Sequence, residues 1–327
     1  MNRFIKLSAV MAAIIAAPAF AGTTVDANAE FDTGYTNKNV GTSQGGRIEI
    51  NVAGKAEQNG GFVAGKGTVI AAMNGGSTSS GNNSAAIDDA WVQFGTPAVD
   101  LKLGRFEAAD LYPTPGDVFR KGGLYTTNNL RGRSLLAAGG GNVDDRLHMA
   151  LTANLAAGVA LEVGLVDKKD VSTNGAQGSK GIRPAISFNA GPVAARLGFE
   201  AGKTADAGAA EASFSGVGGT LSAGVGAGVT ARLNFANGTT KFAAGDKKQT
   251  AILLGADVGA LTVSFETGNN KQAGVTTKVN GLFGAYSIPL FVKGATIQPA
   301  LGYGSTQVGS AAKTSVTTVG ARIHYDF

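Results

Sequence analysis

Along almost all of its length this chain repeats one pattern, an apolar residue followed by a polar one. Val25, Ala27, Ala29, Phe31 and Tyr35 alternate with Asp26, Asn28, Glu30 and Asp32; Ile48, Ile50 and Val52 alternate with Arg47, Glu49 and Asn51. The same period recurs at Leu147 to Leu155, Val159 to Leu165, Val193 to Phe199, Val229 to Phe235 and Leu261 to Phe265. The last stretch, Ala321 to Phe327, reads ARIHYDF, with aromatics at Phe327 and Tyr325. A period of two sends successive side chains to opposite faces of a strand, whereas an amphipathic helix needs a period near 3.6. One face of each strand is therefore apolar, and the other carries too much charge for a core.

The connections alternate as well. Gln58-Asn59-Gly60, Thr96-Pro97-Ala98, Ala156-Ala157-Gly158, Ala190-Gly191-Pro192 and Val258-Gly259-Ala260 fit tight hairpin turns. Asn74 to Ser84, Lys168 to Gly181, Asn237 to Lys248 and Thr267 to Gly274 read as longer polar loops. The gly-rich AGVGAGV run, Ala223 to Val229, reads as a hairpin turn, because no Lys-Ser/Thr follows to make a phosphate loop. Counting strands between these connections gives about sixteen, with fourteen or eighteen also compatible with the length. The least regular segments are Glu211 to Ala223, the unbroken Ile252-Leu253-Leu254 run, and Lys278 to Tyr286.

The first residues predict export. Arg3 and Lys6 precede an apolar run from Leu7 to Ala17, and Ala19-Phe20-Ala21 follows Pro18. That is a basic segment, an apolar segment and an A-x-A cleavage site, too short to span a bilayer as a helix. Residues 1–21 are expected to be a signal peptide cleaved after Ala21, leaving a single barrel domain over 22–327. Without Arg3 and Lys6, the excess of basic over acidic residues falls to about +3. That excess is too small, and too scattered, to predict a nucleic-acid partner. The chain has 50 glycines, no cysteine and only 16% charged residues. Soluble domains average about 25% charged residues, and small exported ones are commonly stapled by disulfides.

Two packings suit an exported chain made of such strands. A sandwich would bury the apolar faces against each other. A transmembrane barrel would turn them to lipid and the charges to a wet lumen. Glycine abundance, low charge and small apolar side chains favour the barrel. Lipid offers no hydrogen-bond partners, so the sheet must close on itself and the last strand must pair with the first. The predicted fold is an all-β transmembrane antiparallel barrel.

In four features, spanning essentially all of residues 22–327, the chain resembles a Gram-negative general porin. They are the terminal IHYDF; the hairpin DDAWVQFGTPAVDLKLGRFE (Asp88 to Glu107) with its LKLGR segment; the long stretch AADLYPTPGDVFRKGGLYTTNNLRGR (Ala108 to Arg133), in the place of the family's third loop; and YPTPGDVF within it, similar to that loop's tip. The signal peptide and the alternation agree with them. The resemblance implies a homotrimer in outer-membrane lipid, a long third loop folded into the pore, and recognition of the C-terminal strand by the barrel-assembly machinery. It implies passive diffusion of small hydrophilic solutes and ions, without a cofactor.

A diffusion channel needs a constriction whose polar groups replace part of a solute's hydration without holding it. Candidate acids are Glu107, Asp110 and Asp117; candidate bases are Arg47, Arg105, Arg131 and Arg133. Arg120, Lys121 and Arg131 could equally be solvated loop residues. Arg105 shares parity with Val99, Leu101 and Leu103, which would aim it at lipid at a cost of about 2–4 kcal/mol. A bulge at Gly104 is expected to turn it inward. Arg47, Arg146, Arg183, Arg196, Arg232 and Arg322 are expected inside the wall, against acids concentrated at Asp26, Glu30 and Asp32. Weak anion preference follows if arginines occupy the narrowest ring.

Other readings have less behind them. His148 and His324 are the only histidines, and no G-x-S-x-G or metal-ligand spacing occurs, so an enzyme is not expected. A sugar- or anion-biased channel is the alternative, and Tyr112, Phe119 and Tyr125 are its candidate aromatics. A plugged barrel serving as adhesin or anchor would need longer loops.

Overall fold

The computed structural model describes residues 22–38, 41–75, 84–116, 119–121, 131, 146–168, 178–205, 212–243 and 245–327. The signal segment, Asp117, Arg133, Tyr125 and the middle of the loops after residues 75 and 168 lie outside the described residues.

The strands are β1 (Thr24–Thr36), β2 (Gly41–Gln58), β3 (Gly61–Gly75), β4 (Ser84–Gly95), β5 (Val99–Arg105), β6 (Arg146–Ala156), β7 (Val159–Lys168), β8 (Gly178–Ala190) and β9 (Val193–Ala205). They continue as β10 (Ala212–Gly226), β11 (Val229–Phe242), β12 (Gly245–Val258), β13 (Leu261–Gln272), β14 (Val275–Tyr286), β15 (Ile288–Pro289), β16 (Ala295–Val308) and β17 (Thr314–Asp326). The two-residue β15 resumes the line of β14 past Ser287, and both pair with β16, so the wall has sixteen staves. All pairings are antiparallel, and β1 pairs with β2 on one side and β17 on the other. The barrel is closed. At the seam the Ala27 N–H donates to the Phe327 carbonyl at 3.0 Å, and the Phe327 N–H returns the bond at 2.9 Å.

The faces are inverted relative to a water-soluble protein. Large apolar side chains such as Phe31, Leu151, Phe235, Leu254, Phe265 and Leu301 stand exposed on the outside. Buried positions include polar and charged ones, among them Asp32, Asn51, Asp100, Arg183, Glu200 and Asn234, on the opposite parity. Such a surface is stable only against an apolar solvent.

The three irregular segments are strand: Ala212 to Ala223 falls in β10, with Glu211 outside the described residues, Ile252 to Leu254 in β12 and Lys278 to Tyr286 in β14. The AGVGAGV run turns between β10 and β11. Two expected loops are not loops. Asn237 to Phe242 and Gly245 to Lys248 belong to the β11–β12 ladder, whose pairing runs from Val229↔Val258 out to Phe242↔Gly245. Thr267 to Gly274 is mostly β13, which turns through Ala273 (φ 48°) and Gly274 (φ 80°). Two positive φ values make the hairpin turn whose twist matches paired strands. These strands, 14 and 12 residues long, exceed the roughly 9–11 needed to cross. Polarity in Asn237 to Lys248 therefore marks hairpin that continues beyond the apolar band, where both faces meet water.

Candidate functional site

After β5 the chain leaves the wall, and the described residues from Phe106 to Lys121 lie against the inward faces of the strands. Phe106 starts the departure, stacked on His148 of β6 with ring centroids 3.8 Å apart. Lys102 covers both the Trp91 and Phe106 rings, at 4.5 and 5.3 Å. The Ala109 N–H donates to Glu162 Oε1 of β7 at 3.0 Å, and Arg196 Nη1 of β9 donates to the Asp110 carbonyl at 3.0 Å. Asp110 Oδ1 accepts from the Tyr112 N–H at 2.8 Å, which tightens the bend.

Beyond that bend, Leu111 is buried against Gly198 of β9, where a Cβ would stand 2.6 Å from the leucine. Tyr112 packs with Leu253 of β12 and donates through its hydroxyl to Glu266 Oε1 of β13 at 3.2 Å. Asn234 of β11 donates to the Pro113 carbonyl. Gly116 (φ 61°) lies against the Phe283 ring of β14, and Arg120 pairs with Glu266. Phe119 reaches β16, β17 and β1. The segment thus crosses from one side of the barrel to the other.

Beneath it, Arg183 Nε of β8 and Glu200 Oε2 of β9 lie 3.7 Å apart with neither side chain exposed. Above that pair, Arg131 bridges Glu107 at 2.8 Å and Asp110 at 3.1 Å. Glu107 belongs to the inserted segment rather than to a strand. Burial is the main cause that raises its carboxyl pKa, with Arg131 opposing and Asp110 and Asp89 reinforcing.

On the far side a cavity of about 360 Å³ opens between Phe119 and the inner faces of β1, β2, β3 and β17. Glu30, Asp32, Arg47, Ile70 and Arg322 line it with Phe119. Register brings the charges together: Glu30 is opposite Arg47, and Asp32 is opposite Arg322. Arg47 Nε meets Glu30 at 3.0 Å, while Arg322 donates to both Asp32 oxygens at 2.7 and 2.8 Å. His324 lies 3.6 Å from Glu30 and 2.9 Å from Asp326.

The residues singled out in the sequence divide into separate groups. Glu107, Asp110 and Arg131 form one cluster, and Arg47 sits in another, on the cavity. Arg105 donates through Nε to the Asp88 carbonyl at 2.7 Å. The β4–β5 pairing runs through Gly104 without a shift, so the expected bulge is not there. The shift lies in the next seam, where Asp88 and Asp89 together face Thr68, and Gly104 contributes a φ of 123° instead. Asp117 and Arg133 lie outside the described residues, as does the side chain of Arg146. Arg120, which could have been a solvated loop residue, is almost fully buried on Glu266. Sequence reasoning missed Glu266, Asn234, Glu200 and Leu253 as wall partners. The broken alternation at Ile252-Leu253-Leu254 was the one available signal, since an apolar residue facing inward needs an apolar cover.

No family model matches this chain, and no curated protein matches it by sequence. Solved structures do. An anion-selective porin from Comamonas acidovorans is 16% identical, covering 94% of this chain and 99% of its own, with a TM-score of 0.63. OmpT in trimer form, an outer membrane protein of Vibrio cholerae, is 14% identical over 94% and 100%, at 0.62. A variant of the Rh. blastica porin is 18% identical over 93% and 100%, at 0.57. The fold is that of the bacterial porins. The inserted segment and the cavity beside it lie against the inward faces of the strands, where the charged groups described above are gathered.

Proposed function

We propose that this chain is an outer-membrane porin, a non-enzymatic channel for passive diffusion of small hydrophilic solutes and ions. The observation that carries the reading is the open cavity beside Phe119 in a closed barrel whose exterior is apolar. Acids and bases there are interleaved on neighbouring strands and compensate one another, which gives a solute polar contacts without a strong single-sign trap. Tyr112 and Phe119 are buried, so neither presents a ring for a sugar to stack on. For these two candidates that favours general diffusion over a sugar channel; Tyr125, the third, lies outside the described residues. Planar-bilayer recording tests it: a large, unsaturated current supports general diffusion, block by one sugar supports the substrate-biased reading, and a closed barrel supports an anchor.

Residues 1–21 act in this reading as a signal peptide cleaved after Ala21. The C-terminal strand ending at Phe327 engages the barrel-assembly machinery, and the barrels associate as homotrimers. The small outward residues Ala27 and Ala29 suit close barrel-to-barrel packing. Mildly solubilised protein is expected to run as an oligomer that heat dissociates.

The proposed constriction residues are Arg47, Arg105, Glu107, Asp110, Asp117, Arg131 and Arg133; among the described ones, Arg47 lines the open cavity. Weak anion preference is expected, in line with the basic excess and with the anion-selective description of the Comamonas relative. A salt-gradient reversal potential measures it. Arg47→Gln should move that potential toward cations, and Arg105→Gln, held on a wall carbonyl, should move it less. The preference should fade as salt rises, because lumen charges are screened. It should also grow as pH falls from neutral. Burial raises the Glu107 pKa, so this negative charge beside Arg131 is neutralised at milder acidity than an ordinary glutamate. A pH-independent potential would exclude Glu107 from the ion path.

A further inference from the structure

Phe119 ends its crossing at the seam where the barrel closes, and the wall there lacks side chains. Three inward positions on adjacent strands are glycine: Gly34 on β1, Gly320 on β17 and Gly302 on β16. Gly34 and Gly320 are direct cross-strand partners. The rungs on either side are filled. Thr36 faces Thr318 with hydroxyls 2.7 Å apart, and Asp32 faces Arg322 in a two-bond ion pair. A glycine rung between a threonine rung and an ion-pair rung is a notch in the inner wall.

The Phe119 ring fills it. A Cβ on Gly320 would come 2.2 Å from Phe119 Cε1, and one on Gly34 would come 3.1 Å from the same atom. A Cβ on Gly302 would stand 1.7 Å from the Phe119 carbonyl oxygen, with Phe119 C and Arg120 N next nearest. Interior strand glycines weaken a sheet and commonly mark close approach of another group. Here the approaching group is identified, and it leaves Phe119 only 4% exposed.

We propose that Phe119 is the latch that holds the inserted segment across the barrel, seated in the Gly34–Gly320–Gly302 notch. One consequence rests on the channel reading: since Phe119 also borders the open cavity, its seating sets the width of the passage. The latch itself does not depend on that reading. It works beside the buried Arg120–Glu266 pair, so unseating Phe119 should bring Arg120 and Lys121 into solvent.

Gly302→Ala and Phe119→Ala test this in the whole folded barrel. The three atoms nearest the new methyl on Gly302 all belong to the inserted segment, so that variant displaces the segment rather than the wall. Phe119→Ala adds no atoms and decides the matter if Gly302→Ala fails to fold. Folded barrels, identified by heat-modifiable gel mobility, are treated with trypsin and the fragments weighed; single-channel conductance is recorded in parallel. The expected result is protection of the Arg120 and Lys121 bonds in the parent, loss of it in the variants, and higher variant conductance. Loss of protection with no current in any protein supports the latch and overturns the channel reading. Loss of protection with unchanged conductance supports the latch and overturns its control of width. Cleavage of the parent at these bonds, or continued protection in folded Phe119→Ala, overturns the latch.

Discussion

Arg183→Met is expected to destabilise the folded barrel by about 3–5 kcal/mol, because it removes the guanidinium that lies beside the buried Glu200 carboxylate. Both side chains are fully buried between the wall and the inserted segment. Glu162, Asp110 and Arg131 lie within electrostatic reach of the guanidinium, so its loss also unbalances the charges above it. Urea unfolding of the reconstituted barrel, followed by gel mobility, measures the change. The double variant Arg183→Met/Glu200→Leu should recover most of the loss, since apolar groups of similar volume commonly replace a buried pair without cost. A single variant as stable as its parent would show that water reaches this pair.

The second large effect separates two neighbours in sequence. Leu254 is 54% exposed on the outside, and Leu253 is fully buried inside against Tyr112. Leu254 lies amid outward apolar rows, opposite Leu233 on one side and Phe265 on the other. Leu254→Arg should therefore cost about 2–4 kcal/mol in a bilayer, the usual charge for arginine near mid-depth on a lipid face. It should cost much less in a detergent that lets the side chain reach water. Leu253→Ala should cost about 2–5 kcal/mol in either medium, through the cavity it leaves under Tyr112. Refolding into vesicles and into micelles, with urea titration of each, reads both. Equal effects of Leu254→Arg in the two media would mean that this face does not meet lipid.

Those two leucines also show where sequence reading stops. A run of three apolar residues satisfies neither alternation nor a turn, and only the packing of Tyr112 explains the inward one. The polar hairpins at Asn237 to Lys248 and Thr267 to Gly274 misled for a related reason. Polarity reports contact with water, and paired strands beyond a bilayer touch water as loops do. Arg105 was expected to be turned by a bulge at Gly104, but the shift belongs to β4, which parity counted along β5 alone does not register.

Closure, an approximate strand number, most lipid-facing residues and the existence of a long insertion after β5 were legible in the sequence itself; the count of sixteen came from the pairing. Each follows from a period of two repeated along the chain and from the rule that lipid leaves no backbone group unsatisfied. The path of the insertion was decided only in three dimensions. Arg120 meets Glu266, Asn234 meets Pro113 and Phe119 meets Gly320 across more than a hundred residues of chain. Alternation tells which way a side chain points, not what will be opposite it across a lumen. Glycine is the sharpest case: at Gly274 it makes a turn and at Gly320 it makes a seat, and only the neighbour that fills the space tells them apart.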